Sequence, residues 1–328
     1  MFIIIIVLLL AAVVLLVINR ARLKASYDEL SAEFSALSGQ EGVISAPDGG
    51  KLISLPELQT WAHEASSLTD MMSRLFPEYM VYTDLSGEIV YRELDPALAL
   101  NSIDRDGFSA VEGTSFKTYT MPDGSEALAG IDVSVFQGDI DWAAVRAAGI
   151  DFAIIRAGLR GYESGTVFED ENLETNLKGA TEAGMPIGVY FYSQAATEAE
   201  AVEEAEFVLE RIEGYEISWP VVFDMEEVNS STSRTLALSA AQKTDIAIAF
   251  CERVKQAGYT PMIYGNMRWF AENMELDRLE DYDKWFAQYF SRPHYPYEYT
   301  IWQYTHTGAV DGISGNVDLN IAFFDYSA

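Results

Sequence analysis

Cysteine is nearly absent from the 328-residue chain: Cys251 is the one thiol, so no intrachain disulfide, thiolate metal cluster or CxxC redox pair can form. Histidine is almost as scarce. His63, His294 and His306 lie far apart and show neither HExxH nor HxH spacing, which removes the usual basis for a histidine-rich metal site. Basic residues are few as well. Against 51 Asp plus Glu there are 21 Lys plus Arg, a formal charge of −30, so a general affinity for phosphate backbones is excluded and nucleic acid is set aside as a partner. With 49% hydrophobic residues the chain is too apolar for disorder and long enough for one large domain plus a smaller one.

What the chain does have, at its start, is an unbroken apolar run over residues 2–18, FIIIIVLLLAAVVLLVI. At about 1.5 Å per residue it lies at the short end of what spans a bilayer. No basic residue precedes it and no small-x-small cleavage site follows, so a retained membrane anchor over 1–19 is expected, with a cleaved signal as the alternative. A buried core helix fits less well because no polar face interrupts the run. Arg20, Arg22 and Lys24 follow on the carboxyl side. By the positive-inside rule they would keep the bulk of the chain in the cytoplasm; either the chain is exported against that bias, or basic residues upstream of Met1 tip the balance.

Leu23, Tyr27, Leu30, Phe34 and Leu37 are spaced 4, 3, 4 and 3 apart, an a/d seam on a helical stalk over 20–45. Such a stalk either hugs a surface or forms a weak dimer seam. A linker, Ala46-Pro47-Asp48-Gly49-Gly50, follows. Residues 46–125 then read as a small spacer domain of its own, with a helix over 55–75 and a hairpin in VYTDLSGEIVY turning at Leu85-Ser86-Gly87-Glu88. No chemistry is evident in it.

From 126 to 328 short apolar runs alternate with amphipathic helical stretches, the pattern of an α/β fold with a parallel sheet wrapped by helices. Strands are predicted over 130–135, 152–157, 187–193, 221–224, 262–264, 284–289, 299–304 and 317–319, enough to close a barrel. Asp141, Thr197 with Glu200, and Ser239 with Gln242 read as helix starts, and Gly149, Gly184 and Gly258 as helix ends. The last connections are too short for a long helix, so strands alone close the barrel there. The Glu-rich stretch 197–213 reads as a solvated helix face, and Cys251 as a small core residue.

In such a barrel, chemistry collects at the carboxyl ends of the strands. PVVFDMEE at 220–227 delivers Asp224 and Glu226 to one face, about 7 Å apart along the backbone. Two carboxylates on one face push each other's protonation apart, as acid/base chemistry needs, although acids here could also cap the next helix. Asp132 ends the first strand and Asp318 sits on the last, its neighbour in a closed barrel. Buried acids without partners are costly, and Arg156 is a candidate partner, either for substrate or as a salt bridge across the rim. Aromatic and amide side chains gather at the same ends: Tyr190, Tyr192, Tyr264, Trp285, Gln288, Tyr289, Trp302, Gln303 and Tyr304. Sugar rings stack on aromatics and their hydroxyls need amides and acids, so a neutral glycan suits the cleft, while about half of the aromatics are expected to pack the core. Alternation turns Phe191 and Phe286 outward.

GIDVSVFQGDIDW at 130–142, FAIIRAG at 152–158, PIGVYFYS at 186–193, PVVFDMEE, MIYGN at 262–266 and IWQYTHTGAVDGISGNVDLN at 301–320 together resemble the glycoside hydrolase family 25 lysozymes of the Chalaropsis type. The resemblance covers about 200 residues from Ala129, and its segments come in family order. It implies an irregular TIM-like (β/α)5(β)3 barrel and N-acetylmuramidase activity on the β-1,4 bond between N-acetylmuramic acid and N-acetylglucosamine in peptidoglycan. It implies Glu226 as general acid, Asp224 as its partner, and Asp132 and Asp318 as further active-site acids, with no metal or organic cofactor. Help from the substrate's acetamido group and a carboxylate nucleophile are both open. The other readings are a non-catalytic glycan-binding module and a glycosidase for chitin-like polymers. Peptidoglycan lies outside the membrane, so this function favours an extracytoplasmic barrel on a single-pass anchor, against the charge bias.

Overall fold

A computed structural model describes residues 55–327. The expected anchor at 2–18, the stalk at 20–45 and the linker at 46–50 lie outside the described residues. Among the described residues no helix is long and apolar enough to cross a membrane. Within the described residues, those from Trp61 onward form one compact unit.

The one helix predicted over 55–75 is two, α1 (Leu55–Glu64) and α2 (Leu68–Leu75). The break falls at Ser67, whose backbone is extended and whose hydroxyl accepts the Asp70 N–H at 3.1 Å. A serine hydroxyl competes with helix continuation and serves better as a cap. The predicted hairpin is present as antiparallel β1 (Tyr79–Thr83) and β2 (Ile89–Glu93). Its turn is held by Asp84 Oδ1, which accepts the N–H groups of Ser86 and Glu88 at 2.8 and 2.9 Å. A second small hairpin pairs β3 (Phe108–Ala110) with β4 (Lys117–Tyr119).

The remainder runs β5 (Leu128–Val133), α3 (Trp142–Ala147), β6 (Phe152–Arg160), β7 (Val167–Glu169), α4 (Leu173–Glu182), β8 (Ile187–Ser193), α5 (Glu198–Arg211), β9 (Val221–Met225), α6 (Ala240–Gln256), β10 (Pro261–Asn266), α7 (Met267–Asn273), β11 (Asp283–Ala287), β12 (Ile301–Gly308) and β13 (Val317–Ala322). Strands β5, β6, β8, β9, β10, β11 and β12 are parallel neighbours. The barrel closes through β13, antiparallel to both β12 and β5. Strand β7 is a short outer partner of β6. Helices follow the first five barrel strands and none follows β11 or β12, which is the (β/α)5(β)3 pattern. Helix starts fall where the sequence places them: Asp141, Thr197 and Ser239 each accept a backbone N–H of the first turn. At Thr197 the box is not reciprocal, because the Glu200 carboxylate takes the Ala196 N–H and Arg234 instead.

Three barrel strands without helices would leave their outer faces bare. Residues 61–125 cover them, so this segment is not a spacer standing apart but part of the barrel's own compact unit. Its short strands are too small to bury a core alone. They borrow one: Phe108 packs edge-on against Trp302 at 5.0 Å, Tyr119 meets Phe323 at 5.2 Å, and the Tyr304 and Tyr297 hydroxyls accept the N–H groups of Lys117 and Asp95.

One further expectation is corrected on α5. Its glutamates do not all face solvent, for Glu204 is fully buried and accepts Arg160 Nε at 2.6 Å, while the Arg160 guanidinium also reaches Glu203 at 2.7 Å. Burial raises the Glu204 carboxyl to about 7. An arginine planted at the end of β6 gives that face of the helix an inward task that charge counting alone misses. Cys251 is buried in the core, as expected.

Sharing one core has a measurable consequence. Phe108→Ala is expected to lower the stability of the whole unit by about 3 kcal/mol, in the range for large aromatic truncations, with barrel and covering segment still unfolding together. Urea titration followed by far-UV circular dichroism and tryptophan fluorescence checks this, and non-coincident transitions would contradict it.

Candidate active site

Alternation along the strands sorts side chains to two sides of the barrel wall. Phe152, Ile154, Val222, Met262, Trp285, Ile301 and Ala322 form the inner apolar cluster, whereas Ile131, Ile155, Phe191, Phe223, Phe286 and Trp302 pack the outer one with the helices and the covering segment. Phe152 stacks on Trp219 at 3.7 Å to plug the amino end of the barrel. Only glycine fits at 130, where a Cβ would come within 2.1 Å of the Phe152 ring. The polar residues on the inward faces are thereby held at the carboxyl ends.

Four acids meet there. Asp318 on β13 lies directly opposite Asp132 on β5, a pairing that exists only because the barrel closes antiparallel. Asp224, next to last on β9, lies between Tyr192 and Tyr264, its register partners on β8 and β10, and Glu226 follows two residues on, half-buried at the mouth. Asp132 and Asp224 are 6% and 5% exposed. Burial is the largest cause raising each carboxyl above its ordinary value. For Asp132 the Asp318 charge adds to it, and amide donors work the other way. For Asp224 the charges of Glu226 and Asp132 add to it. Glu226 is raised by burial and by Asp318, and lowered by its hydrogen bond with Asp224. Asp318 is pushed up to about 6. Asp224 Oδ1 is buried and receives no N–H or O–H from the protein, while the hydrogen bond between Asp224 and Glu226 needs one proton shared by the two carboxyl groups.

A bed of neutral donors lies beneath. Gln303 Nε2 and Asn320 Nδ2 donate to Asp132 Oδ2 at 2.9 and 2.8 Å. Gln303 Oε1 accepts the hydroxyls of Tyr264 and Tyr289 at 2.9 and 3.0 Å, and Asn320 Oδ1 accepts Trp285 Nε1 at 2.8 Å. Each amide is thus locked in one orientation and holds Asp132 in place.

Of the side chains expected to bind substrate, Tyr190, Tyr192, Tyr264, Tyr289 and Gln303 are brought to this end, with Tyr289 47% exposed at the mouth. Trp285 is inward but lies below the acids, 1% exposed, where it positions Asn320 rather than meeting a ligand. Trp302 is turned away: its neighbour Gln303 faces in, so alternation sends the indole out against Phe108, with its Nε1 on the Gln288 carbonyl. Gln288 is also removed from the cleft, its side chain holding the His294 N–H at 2.9 Å and the His294 ring at 3.3 Å. Arg156 reaches the mouth but is committed to Asp170, with Nε and Nη2 both 2.7 Å from Oδ2. The same carboxylate accepts the Val135 N–H, so the pair ties the loop after β5 to the rim, the salt-bridge reading of this arginine.

Sequence reasoning passed over four residues here. Asn320 was legible, being two residues from Asp318 and therefore on the same face. Phe136, 80% exposed in the loop after β5 with the Arg156 guanidinium 5.1 Å from its ring, has no local signal, nor has Asp170. His306 lies against the Tyr289 ring at 4.6 Å and its charge lowers the Asp318 carboxyl. Among the described residues no group of three or more His, Cys, Asp or Glu side chains is placed to hold a metal ion.

An α/β barrel closed by one antiparallel strand, with four carboxyl groups and fixed amides at its carboxyl end, defines a glycosidase-type scaffold. The model of the glycosyl hydrolases family 25 matches residues 131–313, and the chain belongs to that family. Relatives include the autolytic lysozyme of Clostridium acetobutylicum, 28% identical over 192 residues that cover 58% of this chain and 54% of that protein. Lysozyme M1 of Streptomyces globisporus is 29% identical, covering 61% of this chain and 69% of its own length. The chain thus spans about half the length of the first relative and about two thirds of the second. Among solved structures, the modular autolysin LytC from Streptococcus pneumoniae, in complex with a synthetic peptidoglycan ligand, superposes with TM-score 0.54 at 25% identity, covering 74% of this chain and 56% of that one. A family 25 glycosyl hydrolase from Bacillus anthracis shares the fold, with TM-score 0.52, 22% identity and coverage of 66% and 96%.

The crowding of acids fixes a sign for pH. A carboxyl raised on folding contributes stability that is complete below its ordinary value and is lost as pH rises through the raised one. For Asp318 that window runs from 3.8 to about 6. Asp318→Asn removes the loss, so its melting temperature is expected to exceed that of the wild type by a margin smallest near about pH 4 and constant above about pH 7. Paired thermal melts across that range check this; a margin independent of pH would contradict it.

Proposed function

We propose that the chain is a peptidoglycan muramidase, hydrolysing the β-1,4 bond between N-acetylmuramic acid and N-acetylglucosamine. The observation that carries the reading is the pair Asp224 and Glu226 on one strand end, inside a mouth that raises both carboxyl groups. Family membership and the lysozyme relatives support it.

In this reading Glu226, the less buried of the two, gives its proton to the leaving glycosidic oxygen as the bond from that oxygen to the anomeric carbon breaks, and water supplies the hydroxyl that ends on that carbon. Asp224 receives the N–H of the acetamido group on the sugar being cleaved. That contact favours the ionised form of Asp224 and moves the shared proton to Glu226, arming the acid as substrate arrives. Asp132 and Asp318 add negative potential where positive charge builds at the anomeric carbon, and the amide bed keeps Asp132 from swinging away. Tyr192 and Tyr289 offer ring faces to the sugars. The apolar run over 2–18 holds the chain at the outer surface of the cell membrane, close to the wall that a chain of charge −30 has no electrostatic reason to approach.

Digestion of peptidoglycan by the full chain, followed by borohydride reduction and mass spectrometry, is expected to give muramitol ends. Glu226→Gln is expected to lower the rate about 10²- to 10⁴-fold, the usual range for a general acid. Glucosaminitol ends, or no new ends while glycan binding persists, would overturn the reading. Protease added to spheroplasts is expected to digest the barrel; full protection would place it on the cytoplasmic side and contradict the export.

A further inference from the structure

Lys243 stands in the first turn of α6, just after the cap Ser239, and is 8% exposed. Two physical terms oppose an ammonium there. Burial disfavours its charge, and the amino end of a helix carries partial positive charge of its own. No carboxylate is bonded to it in compensation: Nζ donates to the neutral Asn273 Oδ1 at 2.6 Å and lies 5.1 Å from the centre of the Trp269 ring. Glu227 attracts it from farther off, but that carboxylate is held by Arg268 at 2.5 Å. Burial lowers the Lys243 ammonium from its ordinary value, with Arg268 adding to the effect. An ammonium has three donors, and Asn273 uses one.

The lysine forms part of the wall of a cavity of about 300 Å³, together with Leu85, Glu227, Arg268, Trp269 and Asn273. This volume is at the lower end of small-molecule sites. The cavity belongs to the catalytic end of the barrel, because Glu227 directly follows Glu226, and Arg268 and Trp269 begin the helix that follows β10. Leu85, 73% exposed at the tip of the β1–β2 hairpin, comes from the covering segment, so this wall is built by a part of the chain outside the matched family region of 131–313. Glu227 and Glu272 on the same wall disfavour a multiply charged anion and offer acceptors for amide N–H groups. An occupant with one carboxylate and peptide amides satisfies both sides.

We propose that this cavity receives the carboxylate of the peptide branch carried by the glycan substrate, with the Lys243 ammonium as its counter-charge. The proposal rests on the muramidase reading, in which the muramic acid beside the cleaved bond bears such a branch. It makes the enzyme select peptide-bearing strands over bare ones.

The test uses the full chain carrying Glu226→Gln to stop turnover, and calorimetric titration with three probes. These are the β-1,4 tetrasaccharide of N-acetylglucosamine and N-acetylmuramic acid, the same glycan with an alanyl-isoglutamine dipeptide, which ends in a single carboxylate, on each lactyl group, and that compound with those carboxylates amidated. The dipeptide is expected to tighten binding about tenfold and amidation to remove most of the gain. Lys243→Met is expected to abolish the gain while the bare tetrasaccharide Kd shifts by less than twofold. Equal affinity for acid and carboxamide would overturn the proposal, as would a Lys243→Met variant that weakens all probes alike, the mark of a packing role. If Lys243→Met does not fold, as judged by its melt, the acid against carboxamide comparison decides alone. Failure of the tetrasaccharide itself to bind would count against the muramidase reading, and this proposal falls with it; binding of the tetrasaccharide without a gain from the peptide overturns this proposal alone.

Discussion

Four carboxyl groups share one mouth, where Arg156, already bound to Asp170, and His306 each offset only part of the charge. That crowding governs the site. Burial raises all four carboxyl groups, and repulsion between them adds to it at Asp132, Asp224 and Glu226, so the mouth favours their protonated forms. The fold serves this condition. An apolar plug of Phe152, Trp219 and Met262 fills the barrel from below, and the Gln303 and Asn320 amides hold Asp132 in place without adding charge. The antiparallel seam of β13 brings the fourth acid directly opposite the first.

The outer surface follows from the same closure. Parallel strands joined by helices are covered as they form, but a barrel that ends in three strands without intervening helices presents a bare wall. Residues 61–125 supply the missing layer, and their Phe108 and Tyr119 pack directly against Trp302 and Phe323. The segment also brings the tip of its first hairpin to the catalytic end, where Leu85 borders the cavity that Lys243 lines. Cover and catalytic surroundings are thus continuous.

Much of this was legible in the sequence, for definite reasons. Apolar runs ended by acids place Asp132 and Asp224 near strand ends, and closure of the barrel brings Asp318 on the last strand beside them, because alternation and barrel chemistry leave few other places for them. Helix caps at Asp141 and Ser239 are local and therefore readable. The errors arise where partners are distant. Trp302 and Gln303 cannot both face the cleft, yet nothing local says which one does until Phe108, almost two hundred residues earlier, is seen to cover the indole. Gln288 is drawn away by His294, and Arg156 by Asp170, whose position depends on how the loop after β6 folds back. The covering segment reads as independent because its hairpins are local and its core is borrowed.

The central claim is that Glu226 delivers the proton while Asp224 governs it. A crystal structure of Glu226→Gln with the N-acetylglucosamine and N-acetylmuramic acid tetrasaccharide tests this most directly. The account predicts the glycosidic oxygen of a muramic acid unit about 3 Å from the residue 226 amide, with the acetamido nitrogen of that sugar on Asp224. A glycan lying across the mouth with neither contact, or bound only at the covering segment, would contradict it.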